Sequence, residues 1–417
     1  MQTIFYNARI MTLNKKEPSA EAMLVNDGSI VFVGEKDEVL NLKQDDTVLV
    51  DLENKIVMPS FFDVNCQVYD LIEERLKTAK KFKYLEMYDE KDENFENFAN
   101  FEVYKEEFLK IQEELLSLGI TTIQEMNIAQ AEFIFWKKMV DTKLLKIDVI
   151  GYVDMLTAKV VMDNNCISYR KYKNGFRLGG YSLKLDGDLI KKRAWLKKPY
   201  KREGKYLGYA EIFDEQLTYL IKTALEEKKQ IVVDASGDRT VEQFLTVFED
   251  VVNREKIEDK FRPVILNSQM LSKKNIEKMK ELEIVPSFQV EDVVKNEKQL
   301  ICAVGKNRAK KCQPYNLMKK HNVDFLVQSG SLVHFDFFEN LKMLMTKSKL
   351  HKKASILTVQ EALDSMIVTA SNKAFDGEQK GTFETGKTAD FLVVDSVGEP
   401  FDDAKIISVY KQGEKIK

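Results

Sequence analysis

One stretch decides how this chain folds: IVMPSFFDVNCQVY, residues 56–69. An apolar run of β-forming residues reaches Pro59, and after that break a second apolar run leads into polar side chains. Asn65 and Gln67 are two positions apart, so in a strand they would point to the same side of it. The stretch therefore predicts a buried strand that ends in a pair of amides.

Length and composition limit the class of protein. The chain has 417 residues, 44% of them hydrophobic, which suffices for a large barrel with a smaller module. Its 64 basic and 67 acidic side chains nearly cancel, which does not favour a nucleic acid or a membrane as partner. A transmembrane helix needs an apolar run of about 18 residues, and no run in this chain comes close to that length. The first residues do not resemble a signal peptide. The four cysteines show neither disulfide nor zinc spacing, so we predict a cytoplasmic protein.

The order of predicted strands and helices indicates the architecture. Residues 2–57 have the pattern of short strands. From Pro59 onwards strands alternate with helices, and eight such strands predict an α/β fold, a (β/α)8 TIM-like barrel, over residues 58–376. Strand-like sequence returns near the end, so we predict that residues 1–57 and 377–417 build one small β-sandwich from both termini. A doubly wound sheet is the alternative, although no glycine-rich phosphate loop favours it.

Several short motifs make the chain resemble a known family. Besides residues 56–69, they are Ala22 to Gly34, Lys184-Leu185-Asp186-Gly187-Asp188, Asp234-Ala235-Ser236-Gly237-Asp238, Leu266-Asn267-Ser268-Gln269, Gln328-Ser329-Gly330 and Gly381 to Asp395. Together they resemble amidohydrolase family 3, the group similar to N-substituted formamide deformylases. The resemblance implies a barrel with a composite sandwich, and hydrolysis of carbon–nitrogen bonds other than peptide bonds.

The resemblance also implies a metal site, and at that site the sequence departs from the family. In the family, histidines on strands one, five and six and an aspartate on strand eight hold a metal, which lowers the pKa of a bound water to about 7. The corresponding positions here are Asn65, Gln67, Asp234, Asn267 and Gly330, and the three histidines of the chain, His321, His334 and His351, lie elsewhere. Amides are weak ligands for transition metals, so we expect no cofactor. Zinc or another divalent metal would need a rewired site, and magnesium or calcium held by Asp186, Asp234 and the amides stays open.

Lys184 and Asp234 are the candidate catalytic residues. The resemblance places Lys184 at the strand-four position of a lysine that bridges two metals in many relatives. Because strands four and five are adjacent in such a barrel, we predict a buried Lys184–Asp234 ion pair in place of the metal. Exposure of Lys184 to water is the alternative. The amides of Asn65, Gln67 and Asn267 would satisfy the remaining polar groups.

Three further residues lie within or beside these motifs. Asp186 and Asp238 join the amides as predicted binding residues, and Asp238 could instead cap a helix that begins near Thr240. Cys66 would point away from the mouth of the barrel and pack in the core.

Two predicted loops at the mouth are rich in basic residues. They contain Lys191, Lys192, Arg193, Lys197, Lys198, Lys201, Arg202 and Lys205 after strand four, and Lys306, Arg308, Lys310 and Lys311 after strand seven. Both loops would lie on the face where barrel sites occur, and clustered positive charge attracts anions. A solvated surface, neutralised by acidic residues between 89 and 96, is the favoured interpretation, and a small anionic ligand at the mouth is the alternative. A homo-oligomer is possible.

These observations lead to one prediction of function and one alternative. We predict a pseudoenzyme or ligand-binding protein of amidohydrolase descent that has lost its metal site. The alternative is a divergent, active amidohydrolase with a rewired or non-metal site, in which Asp234 or Asp238 acts as general base.

Overall fold

The computed structural model of the chain describes residues 1–79, 101–157, 169–257, 260–330, 335–346, 357–396, 401 and 403–417. His334, His351 and the acidic residues between 89 and 96 lie outside the described residues.

Two sheets built from both ends of the chain form a sandwich-like unit. The four-stranded sheet consists of Gln2–Tyr6, Ala22–Asn26, Ser29–Gly34 and Val48–Asp51. The six-stranded sheet consists of Arg9–Met11, Ser19–Ala20, Ile56–Pro59, Phe391–Asp395, Lys405–Lys411 and Glu414–Lys415. The strand Ile56–Pro59 pairs antiparallel with Phe391–Asp395, and this pairing joins both ends of the chain in one sheet. The predicted composite sandwich is therefore confirmed.

Eight parallel strands form the barrel. In chain order, barrel strands one to eight are Phe61–Asp63, Ile120–Ile128, Asp148–Asp154, Phe176–Lys184, Gln230–Asp234, Val264–Leu266, Val285–Phe288 and Leu326–Val327. Residues just beyond strands eight and one close the ring, since Gly330 N donates to Asn65 O at 3.0 Å and Ser329 Oγ donates to Asp63 at 2.5 Å. The predicted (β/α)8 barrel is confirmed.

Helices surround this barrel and bury their apolar faces on it. Those described are Lys36–Leu40 in the sandwich, then Val68–Thr78, Phe101–Ser117, Gln130–Thr142, Asp214–Glu226, Asp238–Glu255, Lys273–Glu281, Val290–Lys295, Glu297–Val304, Lys306–Ala309, Tyr315–His321, Phe337–Met345, Val359–Leu363 and Thr369–Lys373, the last two joined by a π-helical turn at Asp364–Val368. Asp238–Glu255 shows the principle: Val241, Phe244, Phe248 and Val251 recur at helical spacing and are all buried. Among the described residues, no helix has both the length and the apolar character needed to cross a membrane.

The first barrel strand is shorter than the sequence predicts. It ends at Asp63, and Gln67 lies directly before the helix Val68–Thr78 in a left-handed conformation, with φ 51°. The prediction that Asn65 and Gln67 share one side of a strand is therefore wrong. Two buried carboxylates turn the chain here: Asp63 accepts from Asn65 N at 3.3 Å, and Glu125 accepts from the backbone N–H groups of the new helix.

Candidate functional site

A cavity opens at the carboxyl ends of barrel strands four to seven. Its volume is about 230 Å³. Its walls are polar and carry charges of both signs; the lining residues are Lys184, Asp186, Gly187, Asp188, Leu189, Ile190, Lys191, Arg193, Asp234, Ser236, Asn267, Gln269, Gln289 and Leu300. The structure thus brings together four of the predicted site residues, Lys184, Asp186, Asp234 and Asn267. The other three, Asn65, Gln67 and Asp238, lie outside this lining.

Asp234 is the ionisable group at the floor of the cavity. It ends strand five, and its Oδ1 accepts a hydrogen bond from Asn267 Nδ2 at 2.9 Å. Burial raises the pKa of Asp234 to about 7, helped by the negative charge of Asp186 and opposed by Asn267 and Lys184. Asp234 can therefore hold or release a proton near neutral pH.

A chain of hydrogen bonds fixes the position of Asp234. Ser287 Oγ donates to Gln328 Oε1, and Gln328 Nε2 donates to Asn267 Oδ1 at 2.5 Å. Ser287 and Gln328 are fully buried. The Asn267 amide therefore has its oxygen engaged by Gln328 and its nitrogen turned towards Asp234. We call these four residues, Ser287, Gln328, Asn267 and Asp234, the amide chain.

Lys184 does not pair with Asp234. The two residues are neighbours in the strand register, but Lys184 Nζ lies 3.3 Å from Glu211 Oε1, and the lysine side chain is 45% exposed. The predicted buried ion pair is therefore wrong, and the alternative, exposure of Lys184 to water, is correct. Glu211 draws the lysine to the rim because an ion pair there leaves both charges partly hydrated.

Asp186 anchors the loops around the cavity. It is buried, and its oxygens accept from Ser236 N at 2.8 Å, Gly237 N at 2.9 Å, Trp195 N at 2.9 Å and Thr240 Oγ1 at 2.5 Å. Burial raises the pKa of Asp186, and these donors oppose the shift. Four protein donors leave this carboxylate poorly suited to a magnesium or calcium ion.

Asp238 has a different structural role from the predicted cap. Its helix begins at Asp238 itself, with Gly237 as the preceding cap residue. The Asp238 carboxylate instead accepts from Lys197 N at 2.9 Å and so holds the basic loop against the barrel.

Two buried carboxylates that the sequence analysis missed meet at the end of strand one: Asp63 on that strand and Glu125 on strand two. Asp63 accepts from Ser329 N at 3.1 Å, and Glu125 accepts from Val68 N at 2.8 Å and Tyr69 N at 2.9 Å. Burial raises the pKa of Glu125 to about 8, against the effect of those two hydrogen bonds. The signal for Glu125 was a carboxylate in the middle of a barrel strand, Ile120–Ile128, whose residues are almost all buried.

Asn65 and Cys66 lie beside these carboxylates. The Asn65 side chain is 2% exposed, and its Oδ1 has no hydrogen-bond partner among the described residues. Cys66 is fully buried in the main core, as predicted.

Gly330 is the residue that the family resemblance aligns with the aspartate of strand eight. It has a left-handed φ of 66°, and a Cβ atom there would lie 2.7 Å from Gln289 Nε2. The Gln289 amide is held in that place because Nε2 donates to Ser329 O at 2.8 Å. The backbone conformation and the position of Gln289 therefore both disfavour a side chain at residue 330.

Few of the predicted mouth cations reach the cavity. Only Lys191 and Arg193 of the two basic loops line it. Arg308 donates to three backbone carbonyls, Val304 O at 2.7 Å, Lys198 O at 2.9 Å and Pro199 O at 2.5 Å, and so ties the two loops together. Two other cations are neutralised by acids, as Lys192 pairs with Glu203 and Lys197 with Glu242.

The donor set does not fit the metal of the family. Within the described ranges, no group of three or more His, Cys, Asp or Glu side chains could hold a metal ion. Asn267 is engaged on both sides by the amide chain, and Gly330 offers no ligand. His321, the one histidine that is described, ends the helix leading into strand eight, 3.8 Å from Glu277 and thus away from the mouth.

Comparison with known proteins assigns the family. A family model described as amidohydrolase family matches residues 85–416. This chain belongs to the amidohydrolase family. The family-3 model is the one that matches, as the motifs predicted.

Individual relatives are more distant. The chain is 44% identical over 61 residues to the exoenzymes regulatory protein AepA of Pectobacterium carotovorum subsp. carotovorum, which is 15% of this chain and 13% of AepA. It is 24% identical over 233 residues to YtcJ of Bacillus subtilis (strain 168), a protein named as an amidohydrolase. The aligned region covers 54% of this chain and 42% of YtcJ. The chain thus spans less than half the length of each of these curated relatives.

A solved structure shows the same fold. An uncharacterized metal-dependent hydrolase from Pyrococcus furiosus superposes with a TM-score of 0.80 at 18% identity, covering 96% of this chain and 100% of that one. At that identity the likeness concerns the fold alone.

Proposed function

We propose that this amidohydrolase is a ligand-binding protein that has lost the metal site of its family, and that it takes a small anionic ligand in the cavity at the barrel mouth. The narrower kinship to N-substituted formamide deformylases belongs to the same proposal. One observation carries it: the amide chain joins two of the family's ligand positions, Asn267 and Asp234, to each other by a hydrogen bond of 2.9 Å.

The descent of the chain makes a divalent metal plausible, and the residues argue against it. Amide oxygens are weak ligands for zinc, and Asn267 Oδ1 already accepts from Gln328 at 2.5 Å. To bind a metal, the protein would have to break this chain and leave buried Gln328 without its partner. An unpaired buried amide costs about 1–3 kcal/mol. The site is better suited to hold its own side chains than a metal.

The charges on the cavity wall support an acid as ligand. Lys191 and Arg193 are exposed on the loop after strand four, and neither has an ion-pair partner among the described residues. A carboxylate or phosphate between them would gain hydrogen bonds to charged donors. The cavity walls exclude part of the water that would otherwise weaken this attraction.

The test is binding of simple anions at low salt. Acetate, propionate and phosphate are titrated into the parent protein, followed by calorimetry, and into Arg193→Gln. Lys205→Gln is the matched control, because Lys205 is an exposed cation of the same loop that lies outside the cavity lining. We expect weaker binding for Arg193→Gln and unchanged binding for Lys205→Gln. Equal losses in both variants, or no saturable binding at all, would refute the anion site.

A second candidate function is acid–base catalysis without a metal. It is favoured by Asp234, whose pKa of about 7 suits proton transfer at neutral pH. The decisive variant is Asp234→Asn, which keeps the hydrogen bond from Asn267. Turnover of amides by the parent protein that survives chelators and disappears in Asp234→Asn would establish this function in place of the first.

A further inference from the structure

The cavity has acceptors on its floor and donors on its wall. Asp234 ends strand five and Gln289 follows strand seven, so both belong to the floor. Asp234 uses Oδ1 for Asn267, and Gln289 uses Nε2 for Ser329 O. In the described structure, Asp234 Oδ2 and Gln289 Oε1 have no hydrogen-bond partner, so the floor offers two free acceptors.

The amide chain determines which oxygen of Asp234 faces the cavity as an acceptor. Because Asn267 turns its nitrogen towards Asp234, Asp234 Oδ1 must act as an acceptor. The second oxygen is then the one available to the cavity. Asp234 cannot rotate to pair both oxygens internally without breaking the bond to Asn267.

The backbone that carries the donors on the wall is also held in place. The loop turns at Asp188, whose carboxylate accepts from Lys191 N at 2.7 Å and whose carbonyl accepts from Arg193 N at 2.9 Å. The Arg193 side chain packs against Gly187, where an added Cβ would lie 2.6 Å from Arg193 Cβ. Gly187 therefore lets the arginine lie close to the cavity lining.

We propose that the natural ligand is a small zwitterion of the amino acid class, with its ammonium group at Asp234 and Gln289 and its acid group at Lys191 and Arg193. This inference rests on the proposed function, and it adds the second, positively charged group of the ligand. The other charged groups facing Asp234 are compatible with it: Lys184 turns to Glu211 at 3.3 Å, and Asp186 adds negative charge. The volume of about 230 Å³ exceeds the about 150 Å³ of a cavity that holds benzene, so a molecule of this size has room.

The test compares matched pairs of probes that differ only in the amino group. Glycine is compared with acetate, β-alanine with propionate and 4-aminobutanoate with butanoate, by calorimetry at pH 8. We expect at least one amino acid to bind about tenfold more tightly than its matched acid, the effect of one charge-assisted contact worth about 1.4 kcal/mol.

Two variants assign the two ends of the ligand. Asp234→Asn keeps the Asn267 contact and replaces the free acceptor by a donor, so the amino acid should lose its advantage over the acid. Arg193→Gln should weaken both members of a pair by a similar factor, while Lys205→Gln should change neither. Melting curves of each variant check that the fold is retained.

The outcomes separate this inference from the proposed function. If the acids bind with dependence on Arg193 but no amino acid is preferred in any pair, the zwitterion is refuted and the anion site stands. A preference that survives in Asp234→Asn also overturns the inference. If neither member of any pair binds, both proposals fail.

Discussion

Gly330→Ala is the substitution that tests most sharply whether Gln289 closes the space beside residue 330, just beyond strand eight. Residue 330 has φ 66°, so any other residue type meets backbone strain there, of order 1–3 kcal/mol. The new Cβ would also lie 2.7 Å from Gln289 Nε2 and 2.8 Å from its Cδ. Gln289 would have to move and lose its bond to Ser329 O, which adds about 0.5–1.5 kcal/mol, or the site would be overpacked at a cost of about 1–3 kcal/mol.

A second glycine isolates the contribution of Gln289. Gly204 has a similar φ of 59° and no atom within 4 Å of the position of a Cβ, so Gly204→Ala meets the backbone strain alone. Urea denaturation followed by tryptophan fluorescence measures both variants. We expect Gly330→Ala to be less stable than Gly204→Ala by about 1–3 kcal/mol. If the two variants lose the same stability, Gln289 does not close this position.

Three further predictions concern stability and loop order. Asp148 lies buried between Lys380 and Lys411, which lower its pKa against the effect of burial. Asp148→Ala should therefore destabilise the fold by about 3–5 kcal/mol, whereas Asp395→Ala, which breaks a more exposed pair with Lys55, should cost about 1 kcal/mol or less. Equal losses of stability in urea titrations would contradict this prediction. The pKa values of Asp234, raised to about 7, and of Glu125, raised to about 8, mean that the folded protein holds protons that the unfolded chain releases. The stability should therefore fall as the pH rises from about 4 to 8, and it should fall less steeply in Asp234→Asn. An unchanged slope of stability against pH in that variant would count against the raised pKa of Asp234. Arg308→Ala should speed hydrogen exchange of the loop backbone at 194–201, because Arg308 holds the carbonyls of Lys198 and Pro199. The control Lys310→Ala should leave the exchange rates unchanged. Exchange rates in Arg308→Ala equal to the parent's would refute the role of Arg308 in holding the two loops together.

The architecture could be predicted because it depends on local patterns. Alternating apolar strands and amphipathic helices indicate a barrel, and the strand-like ends indicate a separate β unit. The length of the first strand could not be predicted in the same way. Asp63 and Glu125 end it through hydrogen bonds to backbone N–H groups, and Glu125 comes from the neighbouring strand.

The structure brings only part of the predicted site to one place: Asn65, Gln67 and Asp238 lie outside the cavity. Asp186, Asp234 and Asn267 line the cavity, since motif positions at strand ends converge in any such barrel. The predicted pairing of Lys184 with Asp234 was wrong because Glu211 reaches the lysine from a loop whose path the sequence does not reveal. Arg308 looked like a free cation, and its role became visible only once the two loops were seen in contact.

The central claim is that the family's ligand positions now bind each other instead of a metal. Its most direct test is elemental analysis by inductively coupled plasma mass spectrometry, on protein purified without chelators and again after incubation with zinc and dialysis. The account predicts far less than one transition metal per chain in both samples, with no difference between the parent and Asp234→Asn. Near-stoichiometric zinc, iron or manganese that survives dialysis and falls in Asp234→Asn would contradict it.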